Sequence, residues 1–214
     1  DRIAGALARW ITGPRHWMIL GVFLLVLAVA FAGMQRVVVD NSTKSYFSED
    51  FQFRKDDNEL NNRLGGTNTL YLLIEGADED AIKDPKILQA MESTQRFLES
   101  QPFIGKTISI ADFIKRMNQA LHGDDPAYFS IPESRELISQ YLLLYSISGE
   151  PGDFDTYVDY GYKTASITVY LKTDSSAYLQ ELIGKINAKA IPLFGSDVKI
   201  GIGGSVPKGS ALNE

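Results

Sequence analysis

"KTASITVYLKT", residues 163 to 173, is the stretch on which the fold turns. Successive side chains of a strand point to opposite faces, so Ala165, Ile167, Val169 and Leu171 share one side and Thr164, Ser166, Thr168 and Tyr170 the other. The pattern predicts a strand with Ile167 and Val169 turned to helices and Thr168 turned to solvent. Downstream, Asp174 and Ser175 offer caps for a helix with Leu179, Leu182, Ile183, Ile186, Ala190 and Leu193 on one side. "DVKIGIGG" then predicts a second strand. Residues 153–204 therefore read as one β-α-β unit.

The same order occurs earlier, over 67–110. "TNTLYLLIEG" is an apolar strand bounded by turn formers. Asp84 and Pro85 supply an N-cap and a first helical position, and Ile87, Leu88, Met91, Thr94 and Leu98 follow at helical spacing. "FIGKTISI" is the returning strand. Between the halves, residues 111–148 read as a helical insertion, with Phe113, Ile114, Met117 and Leu121 on one helix and "ESRELISQYLLLYSI" as the next. "SGEPGDFD" reads as an internal linker. Two such units side by side predict an α+β fold, a four-stranded antiparallel sheet with helices on one face in the ferredoxin-like split β-α-β arrangement.

Ahead of this domain stands "RHWMILGVFLLVLAVAFAGMQR", residues 15 to 36. Eighteen residues from Trp17 to Met34 carry no charge, and a helix of that length rises roughly 27 Å. Residues 1–16 read as a cytoplasmic or interfacial leader, 17–35 as an N-terminal transmembrane helix, and 36–214 as the domain outside. Arg2, Arg9 and Arg15 against Asp1 keep the leader on the cytoplasmic side. Ala30-Phe31-Ala32 also fits a signal cleavage site, but the apolar run is long for a signal and sixteen residues precede it. A retained anchor is the expectation.

Composition narrows the function. Setting aside Arg2, Arg9, Arg15 and Asp1 leaves 18 basic and 26 acidic residues over 36–214, a net charge of −8. That balance argues against nucleic acid. With no cysteine and two histidines, neither a disulfide framework nor a common metal spacing exists. "GIGGSVPKGS" fails the dinucleotide, P-loop and nucleophile-elbow patterns. Glu75, Asp78, Glu79 and Asp80 lack the ligand order of a calcium loop and read as solvated. No catalytic residue, cofactor or metal ligand is expected, and the chain does not read as an enzyme.

The stretch with most functional content is "LISQYLLLYSI", residues 137–147, apolar nearly all round. Such a helix is usually buried. Its alternative is the wall of a hydrophobic cleft, where tyrosines give rigid apolar area with a polar tip. Tyr141, Leu144 and Tyr145 are the candidate contacts on the helix, joined from beyond the linker by Tyr160, with Tyr157 and Tyr162 beside it.

The order of these features, from the apolar helix through "RLGG", "TLYLLIEG" and "IKDPKILQAMESTQRFLESQPFIGKTISIADFIKRMNQAL" to "KIGIGGSVP", resembles the RND superfamily of exporters. The MMPL-like and hopanoid-exporter-like members, relatives of Patched-type proteins, are the nearest in look. The resemblance implies a first spanning helix and a first periplasmic porter domain of a proton-driven exporter of lipids or other hydrophobic molecules. It places the chain in the cell inner membrane with 36–214 on the periplasmic side. Its partners are then the lipid or hydrophobic cargo, the membrane, and the remaining spanning helices and second porter domain of the same transporter; association with further copies is left open. Residues 205–214 read as the start of a helix toward the next span. Two other readings are a periplasmic hydrophobic-ligand-binding protein with a cleaved signal, and a structural or signalling ectodomain on one anchor.

Overall fold

The computed structural model describes residues 16–34, 40, 42–149 and 152–204. The chain divides into two compact units, Asp1–Val39 and Asp40–Glu214. In the first, helix α1 runs His16–Met34, and its described side chains are exposed. Among the described residues no helix is long and apolar enough to cross a membrane. The expected spanning helix over 17–35 is corrected on that ground. α1 has 19 residues. Of the leader expected over 1–16, His16 begins α1, and residues 1–15, like the expected helix start at 205–214, lie outside the described residues.

The second unit is α+β. After α2 (Gln52–Leu64), strand β1 (Asn68–Glu75), helix α3 (Pro85–Glu99) and strand β2 (Ile104–Ser109) form one β-α-β unit. Helices α4 (Ile110–Leu121) and α5 (Arg135–Ser148) follow. Strand β3 (Thr164–Leu171), helix α6 (Ser176–Lys189) and strand β4 (Lys199–Gly204) form the second unit. The sheet order is β2-β3-β1-β4, and every neighbouring pair is antiparallel. The two strands of each unit are therefore parallel but not adjacent, each pair being split by a strand of the other unit.

Local chemistry places these elements. Asp84 caps α3 by accepting from the Lys86 N–H at 2.8 Å, with Pro85 at the first helical position. α4 starts directly from β2 through a capping box in which Ser109 accepts from Ala111 N–H and Asp112 reaches back to Ser109 N–H at 3.0 Å. Gly65 ends α2 in the left-handed conformation. At Gly66, with φ of 139°, a Cβ would stand 2.7 Å from the Leu171 backbone, so only glycine lets the chain pass β3 this closely.

The core lies between the sheet and α3 and α6. Leu72, Ile74, Ile167, Val169 and Leu171 face Leu88, Met91, Leu98, Leu182 and Ile186 in one buried cluster. α4 packs on α3, and α5 packs on α4. The register pairs Thr168 with Tyr71 on β1 and Ile108 on β2, and Thr168 is only 4% exposed. The expectation that Thr168 faces solvent is thus corrected. A central strand has neighbours on both sides, and their larger side chains cover a threonine on the outer face too.

The segment before β3 is not a free linker. Ser166 donates its N–H to Tyr157 O and its hydroxyl to Thr156 O, both at 2.8 Å. Thr164 N–H is held by the Asp159 carboxylate at 2.7 Å. Residues 152–162 therefore lie fixed along the end of β3, next to α5.

Candidate functional site

α5 begins at Ser134, whose hydroxyl accepts from the Leu137 N–H at 3.2 Å. Its apolar side chains divide into two sets. Ile138, Tyr141 and Leu142 are buried, whereas Leu143, Leu144 and Ile147 are exposed. The helix is neither wholly core nor wholly wall.

Tyr141 belongs to the core. It is 6% exposed, and its hydroxyl donates to Asn118 Oδ1 at 2.9 Å. Asn118 Nδ2 in turn donates to the carbonyls of Tyr128 and Ser130 at 2.9 and 3.0 Å, and His122 stacks on Tyr128. These contacts tie α4, α5 and the intervening loop together. Burial raises the Tyr141 phenol above its ordinary pKa, so the hydroxyl remains a donor.

Tyr145, one turn on, belongs to a cleft. Its ring stacks on Phe154 at 4.4 Å between centroids, and its hydroxyl donates to Asp153 Oδ2 at 2.7 Å. Phe154 meets Phe113 edge-on at 5.2 Å, and Phe113 meets Tyr157 at 5.1 Å. An aromatic chain thus runs from the surface to α4. At Gly149 a Cβ would come within 2.6 Å of the Tyr145 ring, so this glycine leaves the room that Tyr145 occupies.

The cleft measures about 720 Å³ and lies between α5 and residues 152–162, within the range of small-molecule sites. Leu142, Leu143 and Tyr145 form one wall, Phe154, Val158 and Tyr162 the other. The turn at 79–83 closes one end. There Asp80 N–H donates to Gly161 O and Ile82 N–H to Tyr162 O, both at 2.9 Å. Lys83 pairs with Asp80 at 2.7 Å, its ammonium 4.3 Å over the Tyr162 ring. Burial, then the Asp80 and Tyr160 charges, raise the Tyr162 pKa above its ordinary value.

No protein-family model matches the chain, and no curated protein does.

Of the four residues expected to touch a ligand, the structure brings Tyr145 and Tyr160 to the cleft. Tyr160 stands at its rim, fully exposed. Tyr141 is removed to the core by its bond to Asn118, and Leu144 is half exposed on α5 outside the lining. Tyr162 joins the wall as its position suggested, while Tyr157 turns to Phe113. Phe154 and Lys83 went unseen in the sequence, and the acidic turn read as solvated supplies Glu79 and Asp80 to the lining. Alternation of acid and aromatic in "GDFD" was the one available signal for Phe154. Among the described residues no three His, Asp or Glu side chains converge to hold a metal ion. What the arrangement offers is apolar and aromatic area with carboxylates at its edge, which suits binding.

Proposed function

We propose that this chain is part of an RND-type transporter that exports lipids or other hydrophobic molecules, and that residues 40–204 are its substrate-handling porter domain. The carrying observation is the cleft of about 720 Å³ walled by Leu142, Leu143, Tyr145, Phe154, Val158 and Tyr162. The apolar and aromatic walls, with carboxylates at the edge, shield the hydrophobic part of a molecule from water and gain the free energy of burying its surface. The order of the sequence elements supports the family assignment, and the split sheet with its helices agrees with a porter domain of that kind. In this reading the domain works on the extracytoplasmic side of the inner membrane. Its coupling to protons lies in other parts of the transporter, and it needs no cofactor of its own.

The test is titration of the 214-residue chain with a fluorescent lipid analogue, wild type against Tyr145→Ala. Truncating a ring that lines the cleft should weaken binding about tenfold or more. The ring is only partly buried, so the melting temperature should fall less than in Tyr141→Ala. Unchanged affinity in the variant removes the cleft from the proposal.

A further inference from the structure

The charge around the cleft is one-sided. Among the described residues, Glu79, Asp80, Asp153, Asp155 and Asp159 line it with Lys83 as the one cation, a local excess of four negative charges. Aromatic faces are themselves electron-rich and attract cations within about 6 Å of the centroid. The protein already holds one cation in this way, with the Lys83 ammonium over Tyr162 and against Asp80. That arrangement, an ammonium on a tyrosine face with a carboxylate beside it, shows which chemistry the wall accommodates. Asp80 is occupied by Lys83, Asp153 by Tyr145, and Asp159 by the Thr164 N–H. The Glu79 and Asp155 carboxylates make no ion pair or hydrogen bond among the described residues, and both residues stand exposed at the cleft.

We infer that the cleft takes an organic cation bearing apolar or aromatic groups, its body between Tyr145, Phe154 and Tyr162 and its charge toward Glu79 and Asp155. This rests on the proposed handling of hydrophobic ligands and names the class of ligand. An anionic amphiphile meets the same walls but is repelled by the rim, because like charges in a partly enclosed site raise the local potential.

The experiment is a charge series of near-equal shape, tetraphenylphosphonium, neutral triphenylphosphine oxide and tetraphenylborate. Each is titrated into the isotope-labelled 214-residue chain while backbone amide resonances of 142–146 and 158–162 are followed. The phosphonium should bind about tenfold more tightly than the borate at low ionic strength, with the preference shrinking as salt is added. Glu79→Gln/Asp155→Asn should narrow that preference several-fold and leave the neutral probe unaffected. Equal affinity of all three probes at the cleft amides overturns the cation inference and leaves the apolar-ligand proposal standing. Tighter binding of the borate does the same. No shift at the cleft amides with any probe overturns both.

Discussion

Replacing Tyr141 by phenylalanine isolates one hydrogen bond and tests which residues of α5 belong to the core. The ring stays, and only the hydroxyl that donates to Asn118 Oδ1 at 2.9 Å is lost. Tyr141 and Asn118 are 6% and 5% exposed, so water does not readily replace the donor. The amide cannot rescue itself by turning over, because its nitrogen already serves the carbonyls of Tyr128 and Ser130. A buried acceptor left without a partner costs about 1–3 kcal/mol. A domain of this size loses roughly 2–4 °C of melting temperature per kcal/mol, so Tyr141→Phe should melt about 2–12 °C lower. Tyr141→Ala adds the loss of the buried ring, for about 3–5 kcal/mol in all. Differential scanning calorimetry, supported by urea midpoints, measures both. A Tyr141→Phe protein that melts with the wild type would refute the clamp between α4 and α5. Lower ligand affinity at unchanged melting temperature would move Tyr141 from core to wall.

Two further outcomes follow from the sheet and from the start of α6. Both Ile167→Asp and Thr168→Asp should unfold the domain, seen by circular dichroism, because both positions are buried and a carboxylate at either is desolvated without a partner; a folded Thr168→Asp protein contradicts the burial of the outer face. Asp174 is raised by burial, yet the Ser42 hydroxyl, the Lys44 N–H and the Lys44 charge together hold its pKa below the ordinary 3.8. A depressed folded pKa gives stability that is present above the unfolded value and lost as pH falls through the folded one. Acid unfolding below about pH 4 should therefore be less steep in Asp174→Asn, and an identical pH profile in the variant rules out that clasp.

What was legible in the chain is what local periodicity encodes. Alternation at 163–173 and the Asp84-Pro85 start of α3 carry their own geometry, so two β-α-β units can be read from them. An uncharged run between Arg15 and Arg36 predicts a spanning helix, yet among the described residues no helix is long and apolar enough to cross a membrane. Thr168 shows a second limit. Periodicity says which face a side chain takes but not what lies over that face, and here Tyr71 and Ile108 flank it. The cleft was half legible. Tyr141 and Tyr145 share a helix face by spacing, but their fates are set by distant partners, Asn118 for one and Phe154 for the other. Lys83 reaches the site through backbone bonds between the 80–82 turn and 161–162 that no local pattern announces.

The most direct measurement is photo-crosslinking of the 214-residue chain with a diazirine-bearing lipid analogue, followed by peptide mapping. Adducts should fall on Leu142, Leu143, Tyr145 and the 154–162 segment, be competed away by unlabelled ligand and be reduced in Tyr145→Ala. Adducts confined to α1 or to the outer face of the sheet, with none on the cleft walls, would contradict it.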